Sequence, residues 1–410
     1  DIRERLKGAG ILAANGLDQA AGILLNALAE RKDTHIAPLG DSYLMELRRW
    51  KNLQIGVPQL SKQGEVGEVV TYPLVLRNTG SGPLPVSLAI HKVGWETMKA
   101  SVPTEGTELA SGESKVYRLR VTIAERVAPG GYEKQKLHIR AGGQEKPVEK
   151  LVFKTVRRLP RPYLLHTRTG WKKVRKKSVE YSCAADIKKK LIRQAKGYHA
   201  PVPSTGHKKY VFPRMAVGGS GPPHWETAAA YSLTGNLDYA RKLKTFLLNL
   251  SNPQSGYPAT GRGSSHGDVK EGSLFQAAAV AYDAIYDSGV LSESQHRQIQ
   301  KTFLLFLKDS AERYDHSRIG NHCVSLVTAA VLSSLVMQDM HYFHRFLDGP
   351  GGLISQMANG ILDDGWYFES DTGYSMLVAG FFSRCARAAK PWGLDLFNRR
   401  VTPHYNRRAG

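Results

Sequence analysis

The spacing of apolar and polar positions changes twice along the chain. Residues 1 to 50 repeat at helical spacing, as in "GLDQAAGILLNALAERKD" and "DSYLMELRRWKNL", which predicts two helices joined by the proline-containing "THIAPLG". From about 55 to 156 the period shortens to two and β-branched and aromatic residues take over, in "EVVTYPLVLRN", "LPVSLAI", "SKVYRLRVTI" and "EKQKLHIRA". The turns between them, "TGSGP" and "APGG", fit short antiparallel connections, so this stretch predicts a β-sandwich. After "VRRLPRPYLLHTRTG", which reads as a linker, helical spacing returns near 183–196, 223–233, 236–250, 271–287, 292–312, 321–337, 340–347, 350–361 and 373–389.

The expected fold is therefore multidomain α+β: a helical segment over 1–54, a β-module over 55–156 and a helical domain over 157–410. "GEVVTYPLVLRNTGSGPLPVSLAI" resembles the immunoglobulin-like modules of extracytoplasmic bacterial proteins, which act as spacers or supports. The helical domain reads as consecutive hairpins without a clean sequence repeat, which disfavours a named solenoid. An (α/α) toroid, with inner-helix ends lining a groove, accommodates hairpins that differ in sequence.

Composition narrows the partners. Hydrophobic residues make up 41% and charged residues 23%, and no uninterrupted apolar run of about 18 residues is present, so no membrane insertion is expected. The sequence opens on Asp1 with neither an initiator Met nor a leader, so compartment has to come from elsewhere. Cys183, Cys323 and Cys385 are few and widely spaced, which argues against a disulfide framework and predicts small buried residues. The net charge of +21 attracts polyanions at a distance. Much of the excess falls between 157 and 214, in "RRLPRP", "WKKVRKK", "DIKKKLIRQAK" and "GHKKY", and none of it forms a nucleic-acid reader motif.

Three clusters at loop-to-helix junctions can carry chemistry. "RIGNHCVSL" supplies Arg318, Asn321 and His322. "LDDGWYFESDTGYSM" supplies Asp363, Asp364, Trp366, Tyr367, Glu369 and Tyr374; its three successive rings cannot all enter one core, so at least one faces a groove. "GGSGPPHWETAAAYSLTG" supplies His224, Trp225 and Glu226, and "GRGSSHGDVKEGS" adds Arg262, His266 and Glu271. No metal is expected, because His224 and Glu226 lie two apart and point to different helix faces. Taken alone, Asn321 reads as a helix cap and Tyr374 as either a packing or a proton-transferring residue.

An amide–imidazole pair opening one helix, followed by a tyrosine after a "DGWYFES" loop, resembles the heparinase II/III-like and related alginate lyase families of polysaccharide lyases. The matching residues are Asn321, His322 and Tyr374; "HWETAAAYSLTGNLDYARKLKTFLLNLSNP" and "EGSLFQAAAVAYDAIYDSGVLSESQHRQI" look like the toroid helices of that group, so the similarity covers roughly 165 to 390. The resemblance implies a secreted or periplasmic enzyme that cleaves a uronic-acid polysaccharide, sulfated or not, by β-elimination without an organic cofactor. It implies that Asn321 neutralises the uronate carboxylate, that Tyr374 delivers or removes a proton, and that His322 is a partner base or second carboxylate donor. Arg318, His224, Trp225, Arg262, His266, Trp366, Tyr367 and Glu369 are then candidates for substrate binding.

Family members continue into a C-terminal β-domain, whereas only 36 residues follow Tyr374 and the only late candidates are His404 and Tyr405. The chain is then a fragment, or completes its site differently, or only binds. Two alternatives stay open: a glycoside hydrolase using paired carboxylates from Asp363, Asp364, Glu369 or Glu226, and a noncatalytic acidic-glycan-binding protein.

Overall fold

The computed structural model describes residues 46–103, 106–202, 223–253, 256–257, 267–313 and 318–402. The chain divides into two compact units, Asp1–Arg158 and Leu159–Gly410. Among the described residues the first contains ten strands: β1 (Glu46–Trp50), β2 (Leu53–Val57), β3 (Ser61–Gly64), β4 (Val69–Asn78), β5 (Leu84–His91), β6 (Lys99–Ser101), β7 (Thr107–Leu109), β8 (Ser114–Thr122), β9 (Tyr132–Ala141) and β10 (Glu149–Arg157). They form two five-stranded sheets, in the orders β1-β2-β4-β8-β6 and β3-β10-β9-β5-β7, antiparallel except for the β3–β10 pair.

Alternation fixes which side chains enter the core. Leu137, Ile139 and Ala141 of β9 point inward while Lys136 and Arg140 do not. One apolar cluster joins both sheets, with Leu53, Tyr72, Leu74 and Leu119 from the first and Val86, Leu137, Leu151 and Phe153 from the second. This is a β-sandwich. Tyr72 adds a polar tie across it: its hydroxyl donates to the Lys154 carbonyl, lies 3.0 Å from Thr155 Oγ1 and accepts from Lys62 N.

One expectation fails here. "DSYLMELRRWKNL" is not a helix over its described part: Glu46–Trp50 pairs antiparallel with Leu53–Val57 through a tight turn in which Lys51 has φ 45°. Helical spacing in the first half loses to the burial of Leu53, Ile55 and Val57 in the sandwich, an instance of tertiary packing overriding local pattern. Residues 1–45, including the other expected N-terminal helix, lie outside the described residues.

The second unit is helical: α1 (Arg168–Glu180), α2 (Ser182–Lys196), α3 (His224–Thr234), α4 (Leu237–Leu250), α5 (Gly267–Ile285), α6 (Glu293–Arg313), α7 (Asn321–Met337), α8 (Met340–Leu347), α9 (Leu353–Gly360) and α10 (Thr372–Ala389). Nine follow the expected spans to within a few residues. α1 does not appear among them, because six of its thirteen residues are Lys or Arg and only Trp171 and Ser178 are buried, which hides its amphipathic period. The helices pack as two rows, α3, α5, α7 and α10 in one and α4, α6 and α8 in the other.

α7 is the centre of this unit. Every residue from Cys323 to Val336 is buried, as expected of a helix that is apolar on all sides. α5 approaches it closely at Gly272, where a Cβ would lie 2.5 Å from Ser325 Oγ and 2.8 Å from its carbonyl oxygen. Only glycine lets the two backbones meet there.

Residues 159–164, expected as a linker, are instead strapped into the helical unit. Leu159 exchanges backbone bonds with the Gln338 side chain at 2.8 and 2.9 Å. Arg161 and Asp283, each 3% exposed, form an ion pair, and Asp283 also accepts from the Tyr163 and Leu164 backbone N–H groups at 2.8 and 2.7 Å. The Arg161 guanidinium donates to the Val336 carbonyl and lies 4.2 Å from the Tyr286 ring centroid. A cation that reads as basic surface is thus a buried structural group. The cysteines also divide: Cys323 and Cys385 are buried as expected, whereas Cys183 is exposed.

Candidate active site

α7 begins without a side-chain cap: Gly320 precedes it, so its first backbone N–H groups are not closed by a neighbouring hydroxyl or carboxylate of the cap residue. Asn321 stands at this end, 8% exposed, and His322 beside it is half-buried. The Asn321 Nδ2 donates to Glu369 Oε2 at 2.7 Å, across 48 residues of sequence. A carboxylate therefore already sits over the first turn of α7. An amide NH₂ carries two donors, and this bond uses one.

Glu369 is placed by the segment between α9 and α10. Asp364 and Gly365, the latter at φ 86°, turn the chain so that Leu362 N donates to the Trp366 carbonyl and Ile361 pairs with Tyr367. Of the three successive rings, Tyr367 is 1% exposed and packs with Val324, Val378 and Phe381, Phe368 is partly buried, and Trp366 is 45% exposed. Gly360 makes room for the Tyr367 ring, which would lie 2.8 Å from a Cβ there. Burial raises the Tyr367 phenol well above its ordinary value, with Glu369 adding to the effect.

Asp371 caps α10, accepting from Tyr374 N at 3.0 Å, and holds Tyr374 in the first turn of that helix with its ring 46% exposed. The Ser375 hydroxyl accepts from Tyr367 N at 3.4 Å, joining the same segment to the start of α10. Asn321 and Glu369 are thus bonded at the start of α7, and Tyr374 opens α10, the helix that packs beside it. Arg318 is exposed just before α7, its carbonyl held by Gln356 Nε2 at 2.9 Å.

The upstream cluster separates. His224, at the start of α3, is 1% exposed; its Nδ1 lies 2.7 Å from the Tyr198 hydroxyl and its ring stacks on Phe246 at 4.0 Å. Burial lowers its pKa from 6.5 to about 3, so the ring is neutral packing material. Trp225 remains half-buried, and Arg384 of α10 lies 5.1 Å from its ring centroid. Arg384 is not among the candidates that the sequence offers, although arginines inside the apolar run "AGFFSRCARAA" are a readable signal. Arg262, His266, His404 and Tyr405 lie outside the described residues. Asp363 and Asp364 are exposed, and Glu226 is half-buried.

Among the described residues no group of three or more His, Cys, Asp or Glu is arranged to hold a metal ion, and no helix is long and apolar enough to cross a membrane. A cavity of about 460 Å³ opens between α1 and the last turns of α3 and α5, lined by Arg168, Lys172, Arg175 and Asp287. It lies at the opposite end of these helices from Asn321, and two of its cations are engaged, Arg168 with Asp287 and Arg175 with the Ser232 carbonyl.

No family model matches the chain, and no curated protein does. Among solved structures, alginate lyase A1-III from Sphingomonas species A1 is similar over 52% of this chain and 67% of its own, at 16% identity and a TM-score of 0.38. The ASH / PapD-like domain of human CEP192 is similar over 32% of this chain and 94% of its own, at 14% identity and a TM-score of 0.19. Scores this low carry no assignment.

Proposed function

We propose that the helical unit is a polysaccharide lyase of (α/α) toroid type that cleaves an acidic, uronic-acid-containing polysaccharide by β-elimination, in a secreted or periplasmic setting. The observation that carries this reading is the carboxylate of Glu369 held at 2.7 Å by the Asn321 amide over the open start of α7. A donor set that holds one carboxylate, at the positive end of a helix and with a second N–H to spare, suits the carboxylate of a uronate.

The chemistry follows from that seat. The C5 proton of a uronate becomes acidic only when charge developing on its carboxylate is stabilised, and Asn321 with the α7 terminus supplies that stabilisation. A base removes the C5 proton, the electron pair forms the C4–C5 double bond, and the C4–O bond breaks with a proton delivered to the leaving oxygen. The accessible Tyr374 phenol delivers that proton, with His322 or Tyr374 itself as the base. Glu369 orients the Asn321 amide and Trp366 offers a ring to a sugar face.

A screen against heparan sulfate, hyaluronan, alginate, glucuronan and ulvan, following ultraviolet absorbance of the unsaturated uronate together with reducing ends, tests the reading. Absorbance rising with reducing ends supports it. Reducing ends without absorbance would replace elimination by hydrolysis at the carboxylates, and salt-sensitive binding with neither signal would leave a binding protein. On a cleaved substrate, Tyr374→Phe should cost about 10²- to 10⁴-fold in kcat with the unfolding midpoint retained.

A further inference from the structure

Among the described residues Arg384 has no carboxylate counter-ion. Arg48, Arg158, Arg161, Arg168, Arg241 and Arg399 each have a carboxylate partner at 3.4 Å or less. Arg384 has none among the described residues: its partners are the Gln276 side-chain carbonyl at 2.9 Å and the rings of Trp225 and Phe381, with centroids at 5.1 and 5.4 Å. Gln276 is itself 1% exposed and fixed by donating to the Ser325 carbonyl at 3.2 Å, one turn below Asn321. One donor of the guanidinium is thereby clamped and two rings lie beside it, while the residue as a whole is exposed to solvent. Partial desolvation lowers the pKa of Arg384, with Cys385 opposing the shift and Arg387 one turn on adding to it.

An exposed guanidinium held in one orientation by a buried amide and a tryptophan is arranged to receive a planar oxyanion. We propose that Arg384, presented by Gln276 and Trp225, is a binding subsite for the carboxylate of a uronate unit other than the one being cleaved. Ten residues of α10, about 15 Å of helix, separate it from Tyr374, a distance that a polymer of several sugar units spans. This rests on the reading of the site as one for acidic polysaccharide, but it concerns binding and can be measured without turnover.

The test uses the full chain carrying Tyr374→Phe, titrated calorimetrically with hexaglucuronate and with hexamannuronate, with and without Arg384→Gln. Affinity for at least one oligomer should fall about 10- to 100-fold with Arg384→Gln and become less sensitive to salt, as expected when a charge-assisted pair is lost. Arg384→Lys, which keeps the charge and the stem, should fall between and guards against a folding defect in the glutamine variant. In the active protein the same change should raise KM and leave kcat in place. Unchanged affinity and salt dependence, or no binding of either oligomer by the parent, overturns the subsite. Absorbance in the screen judges the lyase reading separately, so elimination with an unaffected Arg384 variant rejects only the subsite, and Arg384-dependent binding without elimination rejects only the lyase.

Discussion

The two ends of α7 are finished in opposite ways. At its C-terminal end, carbonyls that the helix leaves unpaired are taken up: Leu335 by the Tyr163 hydroxyl at 2.8 Å and Val336 by Arg161, with Gln338 stapled to Leu159. At its N-terminal end no cap residue closes the helix, and the polar groups there are Asn321, His322 and the carboxylate of Glu369. Both ends face the same physical problem of orphan backbone groups. One end solves it with a buried network, and in the proposed reading the other is left to groups that also receive the substrate. On that reading, stability and chemistry fall to different ends of one helix.

This contrast can be broken most severely at the closed end. Asp283→Ala leaves Arg161 buried without its anion and two backbone N–H groups without an acceptor, and should destabilise the helical unit by about 3–5 kcal/mol in denaturant unfolding. Asn321→Ala, at the open end, should lower kcat about 10²- to 10³-fold while shifting unfolding by about 1 kcal/mol or less. If the two variants proved equally destabilising, the division of labour would be wrong.

Between the ends, Gly272→Ala places a methyl against the Ser325 backbone. It should cost about 1–3 kcal/mol and, by pushing α5 from α7, lower activity through misplacement of Asn321. A variant with full stability and reduced kcat would show that the close approach serves the site alone.

His224 sharpens the comparison, because it stands at the start of α3 yet belongs to the packing. Its folded-state pKa of about 3 lies below the ordinary 6.5, so the unfolded chain takes up the proton first. Its contribution to stability is complete above pH 6.5 and is lost as pH falls from 6.5 toward 3, by about 1.4 kcal/mol for each pH unit. Unfolding midpoints recorded from pH 7 to 5 should fall more steeply for the parent protein than for His224→Gln. Parallel curves would mean that another group sets the acid limit.

How much of this was legible depends on whether a feature is local. β4, β5, β8 and β9 announce themselves by alternation, and α2 to α10 by helical spacing bounded by Gly, Pro and Asn, because those signals are written in neighbouring residues. Asn321 and Tyr374 were visible as polar groups opening apolar helices. The bond from Asn321 to Glu369 was not, since it spans 48 residues and exists only after the segment between α9 and α10 has folded back. The same holds for Arg161, whose neighbours are basic in sequence and whose partner Asp283 is 122 residues away. His224 misled for a related reason: its sequence context resembles an exposed helix start, and its burial comes from Tyr198 and Phe246.

The sandwich carries a further consequence in the way its sheets end. β6 closes one sheet and β7 the other, and each is only three residues long. A strand that short offers an incoming chain very few free backbone groups, so these borders resist the edge-to-edge joining by which β-proteins aggregate. At these two borders, sheets of neighbouring copies crowded on a surface or along a polymer have little to zip onto.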